Sequence, residues 1–98
     1  MGQYFELFNV TKSVYNKDVV TGLSTDPDAI TYYMGKYDWA PTDVVYAIGD
    51  GGHIIYYDGA GETDLLSGKE ALAHLALLMS QFPDVIGDAG NDLPDVSS

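Results

Sequence analysis

The sequence predicts a small α+β domain: an antiparallel sheet around a central hairpin, two helices packed on it, and an acidic C-terminal tail. Three observations carry the prediction. Two runs rich in β-branched and aromatic residues, Val44-Val45-Tyr46-Ala47-Ile48 and Ile54-Ile55-Tyr56-Tyr57, flank the turn-forming stretch Gly49-Asp50-Gly51-Gly52-His53. Two other segments repeat apolar residues at helical spacing, each behind a helix-start signal. The 98 residues are 46% hydrophobic and contain no cysteine. The fold must therefore rest on core packing, without disulfides or thiolate-bound metal.

In chain order, residues 4–10 read as a strand, with Phe5 and Leu7 on one face and Tyr4, Glu6 and Phe8 on the other. Residues 11–18 are polar and fit either a turn or a short helical turn, and 19–23 fit a short second strand. Asp26 can cap a helix that has Pro27 at its first position. Ile30, Tyr33, Met34 and Tyr37 then follow at i, i+3, i+4 and i+7, which predicts a helix over 27–36 with Tyr32 on its outer face.

The hairpin comes next. A two-residue turn centred on Asp50-Gly51 or on Gly51-Gly52 puts Tyr46, Ile48, Ile55 and Tyr57 on one face and Val45, Ala47, Ile54 and Tyr56 on the other. Both faces are apolar, so the ribbon is either central in a sheet or turns one face to a partner. Residues 59–64 read as a loop. Ser67-Gly68-Lys69-Glu70 matches a capping box and opens a helix over 68–82. Its expected apolar face holds Ala71, Leu72, Leu75, Ala76, Leu78, Met79 and Phe82, while Leu77 lies on the polar side. The domain is expected to span 1–83. Residues 84–98, with Gly87, Gly90, Pro94 and four Asp, read as a loose acidic tail.

Charge bounds the function. Lys+Arg is 4, all Lys, against 15 acids, for a net charge of −11. Residues 1–36 carry four acids against three lysines; residues 37–98 carry eleven acids against Lys69 alone. Such a chain is repelled by nucleic acid and anionic membranes, so the partner it favours is a basic protein surface. No apolar run reaches the ~18 residues of a membrane span, and no basic, apolar secretion signal opens the chain. A cytoplasmic location is expected.

Catalytic and metal readings fare poorly. Asp58-Gly59-Ala60-Gly61-Glu62-Thr63-Asp64 alternates oxygen ligands without the calcium-loop pattern. His53 beside Asp50 fits a hydrogen-bonded turn, and His74 pairs with Glu70 one helical turn away. A small metal-dependent module using His53 and Asp50 is the third-ranked reading. The glycines form neither a P-loop nor a dinucleotide fingerprint. No cofactor, no metal and no enzymatic activity are expected.

The opening Met1-Gly2-Gln3-Tyr4-Phe5 is similar to the start of many small uncharacterised phage and bacterial proteins. Small size, absent Arg and strong acidity resemble phage-encoded anti-defence proteins, including anti-CRISPR proteins and DNA mimics. Many such mimics carry acids in rows along helices, whereas here Asp dominates and sits in turns and the tail. The resemblance implies an inhibitor that occupies the cationic surface of a nucleic-acid-binding host defence complex, acting inside the host cell. The expected partner-binding residues are Asp50, Asp58, Glu62 and Asp64, with Tyr56, Tyr57 and Leu77 as apolar anchors. The alternative is a self-associating assembly protein, a homodimer included, joined through the hairpin face and Leu77, with acidity serving solubility alone.

Overall fold

Five antiparallel strands form one sheet in a computed structural model that describes residues 4–19, 29–49 and 54–88. The strands are β1 (Tyr4–Asn9), β2 (Val14–Val19), β3 (Val45–Gly49), β4 (Ile54–Tyr57) and β5 (Thr63–Leu66). Helix α1 (Ala29–Lys36) lies between β2 and β3 in the chain; α2 (Gly68–Gln81) and α3 (Pro83–Asp88) follow β5. The spatial order is β2-β1-β3-β4-β5. The α+β class read from the sequence is the one observed.

The two-sided hairpin is central in this sheet, and each face has its own helix. Phe5, Leu7, Val45, Ala47, Ile55 and Tyr57 pack with Ile30, Tyr33 and Met34 of α1. Phe8, Tyr46, Ile48, Ile54 and Leu66 pack with Ala71, Leu75 and Leu78 of α2 and with Phe82. The result is three layers, helix on sheet on helix, with an apolar cluster on each side of the sheet.

The hairpin register departs from the two-residue turns. Val45 pairs with Tyr57, Tyr46 with Tyr56, Ala47 with Ile55 and Ile48 with Ile54. The connection after Ile48 therefore holds an odd number of residues, where a two-residue turn needs an even one. A one-residue change of register moves a whole strand to the other face. Ile54 and Tyr56 thus join Tyr46 and Ile48 under α2, and Ile55 and Tyr57 join Val45 and Ala47 under α1. The turn itself, with Asp50 and His53, lies outside the described residues.

Residues 14–18, expected in a turn or short helical turn, belong to β2, and the turn before it has Ser13 at φ 55°; of the strand expected over 19–23, all but Val19 lies outside the described residues. Its polar sequence suits an edge strand, whose side chains are only partly covered. Residues 20–28, including the expected cap Asp26 and Pro27, lie outside the described residues. The end of α1 is a Schellman arrangement: the Trp39 N–H donates to the Met34 carbonyl, the Asp38 N–H donates to that of Gly35, and Asp38 sits at φ 57°.

Four further corrections concern the second half. Residues 63–66 form β5, paired with β4 through Tyr57–Thr63, Tyr56–Asp64, Ile55–Leu65 and Ile54–Leu66, so the loop is shorter than its sequence suggested. Ser67 is the N-cap of α2, but its side chain makes no capping hydrogen bond, so the capping box is not formed. The buried stripe of α2 is also narrower than expected. Ala71, Leu75 and Leu78 are covered, while Leu72 and Met79 are 42% and 54% exposed. Finally, the chain continues past Pro83 as α3, whose Val85 packs on the α2-side cluster. The acidic segment is thus helical at its start, and residues 89–98 lie outside the described residues.

Candidate functional site

Strand order sorts the charges. Lys12 lies in the turn between β1 and β2, Lys17 lies on β2, and Lys36 at the end of α1 bridges to Asp18 of β2 at 2.7 Å. Three of the four lysines therefore gather at the β2 end of the sheet. The far end, β4 to β5, carries Asp58, Glu62 and Asp64, and no lysine occurs anywhere between residues 37 and 68. Lys69, exposed in the first turn of α2, is the cation that follows. Five strands at about 4.8 Å spacing separate the two edges by about 19 Å. That exceeds the roughly 8–10 Å screening length at moderate salt, so each end acts on its surroundings almost independently.

Two of the lysines at the β2 end, Lys12 and Lys36, are held by neighbouring acids. Lys12 Nζ lies 2.5 Å from Asp43 Oδ2. The same carboxylate accepts from Asn9 Nδ2 at 2.9 Å and from the Ala40 N–H. Lys12 above all, then Asn9, holds the Asp43 carboxyl below the ordinary carboxylate range. Asp18 accepts from the Tyr37 hydroxyl at 2.5 Å and raises the pKa of Lys36. Burial, and then that bond to Asp18, pushes the Tyr37 hydroxyl up. These pairs join β2 to α1 and the β1–β2 turn to the segment before β3, so they serve the fold.

At the β5 end, Asp58 organises its own loop. Its Oδ1 accepts from the N–H groups of Ala60 at 2.7 Å and Glu62 at 3.2 Å. The Asp58 N–H in turn donates to the Glu62 carbonyl at 3.2 Å. Gly59, at φ 80°, lets the loop pass against the Thr42 carbonyl. Asp58 is therefore a half-buried loop anchor, while Glu62 and Asp64 are exposed. Tyr57, expected as a surface anchor, is 5% exposed and donates its hydroxyl to the Pro41 carbonyl, which places it in the core. Tyr56 is partly buried, opposite Asp64 on the α2 face. Leu77 is 46% exposed on α2, away from the buried stripe. The structure thus gathers Asp58, Glu62 and Asp64 around β5, with Tyr56 beside Asp64.

One pairing had no sequence signal beyond its residue types. The Tyr46 hydroxyl lies 2.5 Å from His74 Nδ1. The His74 ring packs on Tyr56 at 4.8 Å and on Tyr46 at 5.5 Å between centroids. His74 therefore faces the sheet instead of serving as a surface partner for Glu70. Burial, and then Tyr56, pushes the Tyr46 hydroxyl up to about 12. Such a hydroxyl stays protonated and is a poor nucleophile at neutral pH.

The shift sets a pH dependence. Between pH ~10, the ordinary value for a tyrosine, and about 12, the unfolded chain loses the Tyr46 proton while the folded one keeps it. Stability contributed by Tyr46 is therefore complete below pH ~10 and is lost as pH rises towards 12. Alkaline titration of the unfolding midpoint should fall across that window. Tyr46→Phe should fall less steeply there and be about 1 kcal/mol less stable at pH 7, through loss of the bond to His74.

Among the described residues, no group of three or more metal-ligating side chains could hold an ion, and no helix is long and apolar enough to cross a membrane. Comparison of the chain with protein-family models, with curated proteins and with solved structures returns no match.

Proposed function

We propose that the protein is a non-enzymatic anionic interaction protein whose β5 end docks on a basic protein surface. The observation that supports this reading best is the separation of charge across the sheet. Lysines collect at the β2 edge, where Lys12 and Lys36 pair with acids, and Asp58, Glu62 and Asp64 stand together at the other edge. A patch of one sign accelerates encounter with its opposite and discourages nucleic acid and anionic lipid. The more specific version is an inhibitor that sits in the cationic channel of a nucleic-acid-binding host defence complex. The net charge of −11 and the complete lack of arginine favour it.

The second reading is self-association through α2, where Leu72, Leu77 and Met79 are all exposed. One experiment separates the two. A tagged protein is incubated with host lysate at low and high salt, and captured proteins are identified by mass spectrometry. The anionic reading expects a nucleic-acid-binding protein held at low salt and released at high salt. Glu62→Gln combined with Asp64→Asn should weaken that capture about tenfold and leave the unfolding midpoint unchanged. Unaltered affinity of this double variant would sink the reading. Recovery of the protein alone, insensitive to salt, would favour self-association.

A further inference from the structure

β5 is the outer strand of the sheet, and its backbone direction can be read from its neighbour. The Asp58 N–H donates to the Glu62 carbonyl, so residues 58 and 62 form a hydrogen-bonded pair at the entry to the β4–β5 ladder. Hydrogen-bonded and non-bonded pairs alternate in an antiparallel ladder. Tyr56–Asp64 and Ile54–Leu66 are therefore the bonded pairs. Thr63 and Leu65 then turn their N–H and C=O groups outward, and no described strand pairs with them.

The two faces of this edge differ in chemistry. Asp64 lies on the α2 face beside Tyr56 and is exposed. Leu65 lies on the α1 face beside Ile55 and is 44% exposed. An unpaired edge is commonly guarded by lysine or proline. The β2 edge has Lys17, whereas β5 has neither.

We infer that β5 accepts an extended basic polypeptide segment as a sixth strand, with its cations on the Asp64 side and its apolar side chains over Leu65. This rests on the docking reading above and specifies how the partner is held. Main-chain bonds from Thr63 and Leu65 would supply the register, and alternate side chains the selectivity. Charge decides against a second copy in this place. Full antiparallel overlap of two β5 strands pairs Thr63 with Leu65 and sets Asp64 opposite its own copy. Like charges placed opposite each other are destabilising, and each chain carries −11.

The test uses the full chain and an end-blocked hexapeptide of alternating valine and lysine, labelled for fluorescence anisotropy at low salt. A second peptide has the same sequence with N-methyl groups along the edge that would face β5. It keeps the charge and cannot donate to the ladder. The expected result is saturable binding of the first peptide and binding at least about tenfold weaker for the second. Leu65→Pro removes an outward N–H that the β4 ladder does not use, and it should cost a similar factor. Leu65→Val should bind like the unmodified protein.

Equal binding of the two peptides would overturn strand addition, as would absence of binding by the first. So would full binding by folded Leu65→Pro. If that variant does not fold, the comparison of peptides still decides. A salt-sensitive partner lost in the Glu62→Gln, Asp64→Asn double variant but retained by Leu65→Pro would leave the docking reading standing and remove only the strand. A dimer that Leu65→Pro converts to monomer would assign the edge to a second copy and overturn the inference.

Discussion

Phe8→Ala is expected to destabilise the protein by about 3–5 kcal/mol, the usual cost of truncating a buried phenylalanine. Phe8 is fully buried on the α2 face. Its ring lies 5.0 Å from that of Tyr15 on β2 and 5.2 Å from that of Phe82 at the end of α2. One side chain thus ties together a central strand, an edge strand and the helix layer. A domain of this length has only about 5–15 kcal/mol in total, so the variant should melt many degrees lower. Chemical denaturation of both proteins measures the difference directly. A loss below about 1 kcal/mol would mean that this cluster is not packed as described.

Gly59→Ala should be the most damaging change near the acidic edge. A Cβ at Gly59 would stand 2.7 Å from the Thr42 carbonyl oxygen, and the residue has φ 80°. The opposing atom belongs to the backbone, so it cannot swing aside as a side chain could. The left-handed conformation alone costs alanine about 1–2 kcal/mol, and the clash adds to it; about 2–4 kcal/mol in all is expected. Relief must come from moving the loop that Asp58 organises, which carries Glu62 into β5. The variant should therefore lose partner capture as well as stability. Gly61→Ala is the comparison: Gly61 has φ 93°, but its Cβ would meet nothing within 4 Å. The smaller loss expected there isolates the contribution of the clash.

The parts of the fold with strong periodicity were legible in the sequence. The spacing of Ile30, Tyr33 and Met34 located the buried face of α1, and the alternation of Phe5, Leu7 and Phe8 assigned both faces of β1. The two edge strands were not legible, because an edge buries little and its sequence need not alternate. Val-Tyr-Asn-Lys-Asp-Val and Thr-Asp-Leu-Leu read as polar or mixed segments. The hairpin faces were misassigned for a different reason. Three glycines within the four residues Gly49-Asp50-Gly51-Gly52 permit more than one turn length, and one residue of register inverts a strand.

The candidate site was legible in part. The acid excess after residue 36 is visible in composition, but the gathering of lysines at the opposite edge depends on strand order. Tyr57 looked like its neighbour Tyr56 in the sequence, yet the pleat sends one into the core with its hydroxyl on Pro41 and leaves the other beside Asp64. The contact between Tyr46 and His74 joins residues far apart in the chain, and nothing local announces it.

The pairing of β1 with β3 has a consequence for how the chain folds. β1 and β2 form one hairpin, and β3, β4 and β5 form a meander; both can close from neighbouring residues. Among the described strand pairings, only the β1–β3 seam, which aligns Asn9 with Val45, joins segments distant in the chain. Around that seam, Asn9 and Lys12 hold Asp43, the Val44 N–H donates to Thr11 Oγ1, and the Val10 N–H donates to the Val44 carbonyl. The slow event in folding should then be the docking of two preformed sheets along this line, since non-local contacts govern the rate. Acid that protonates Asp43 would weaken the latch holding those halves together. Separated halves would each show an unpaired central strand, the surface from which small sheet proteins most readily aggregate.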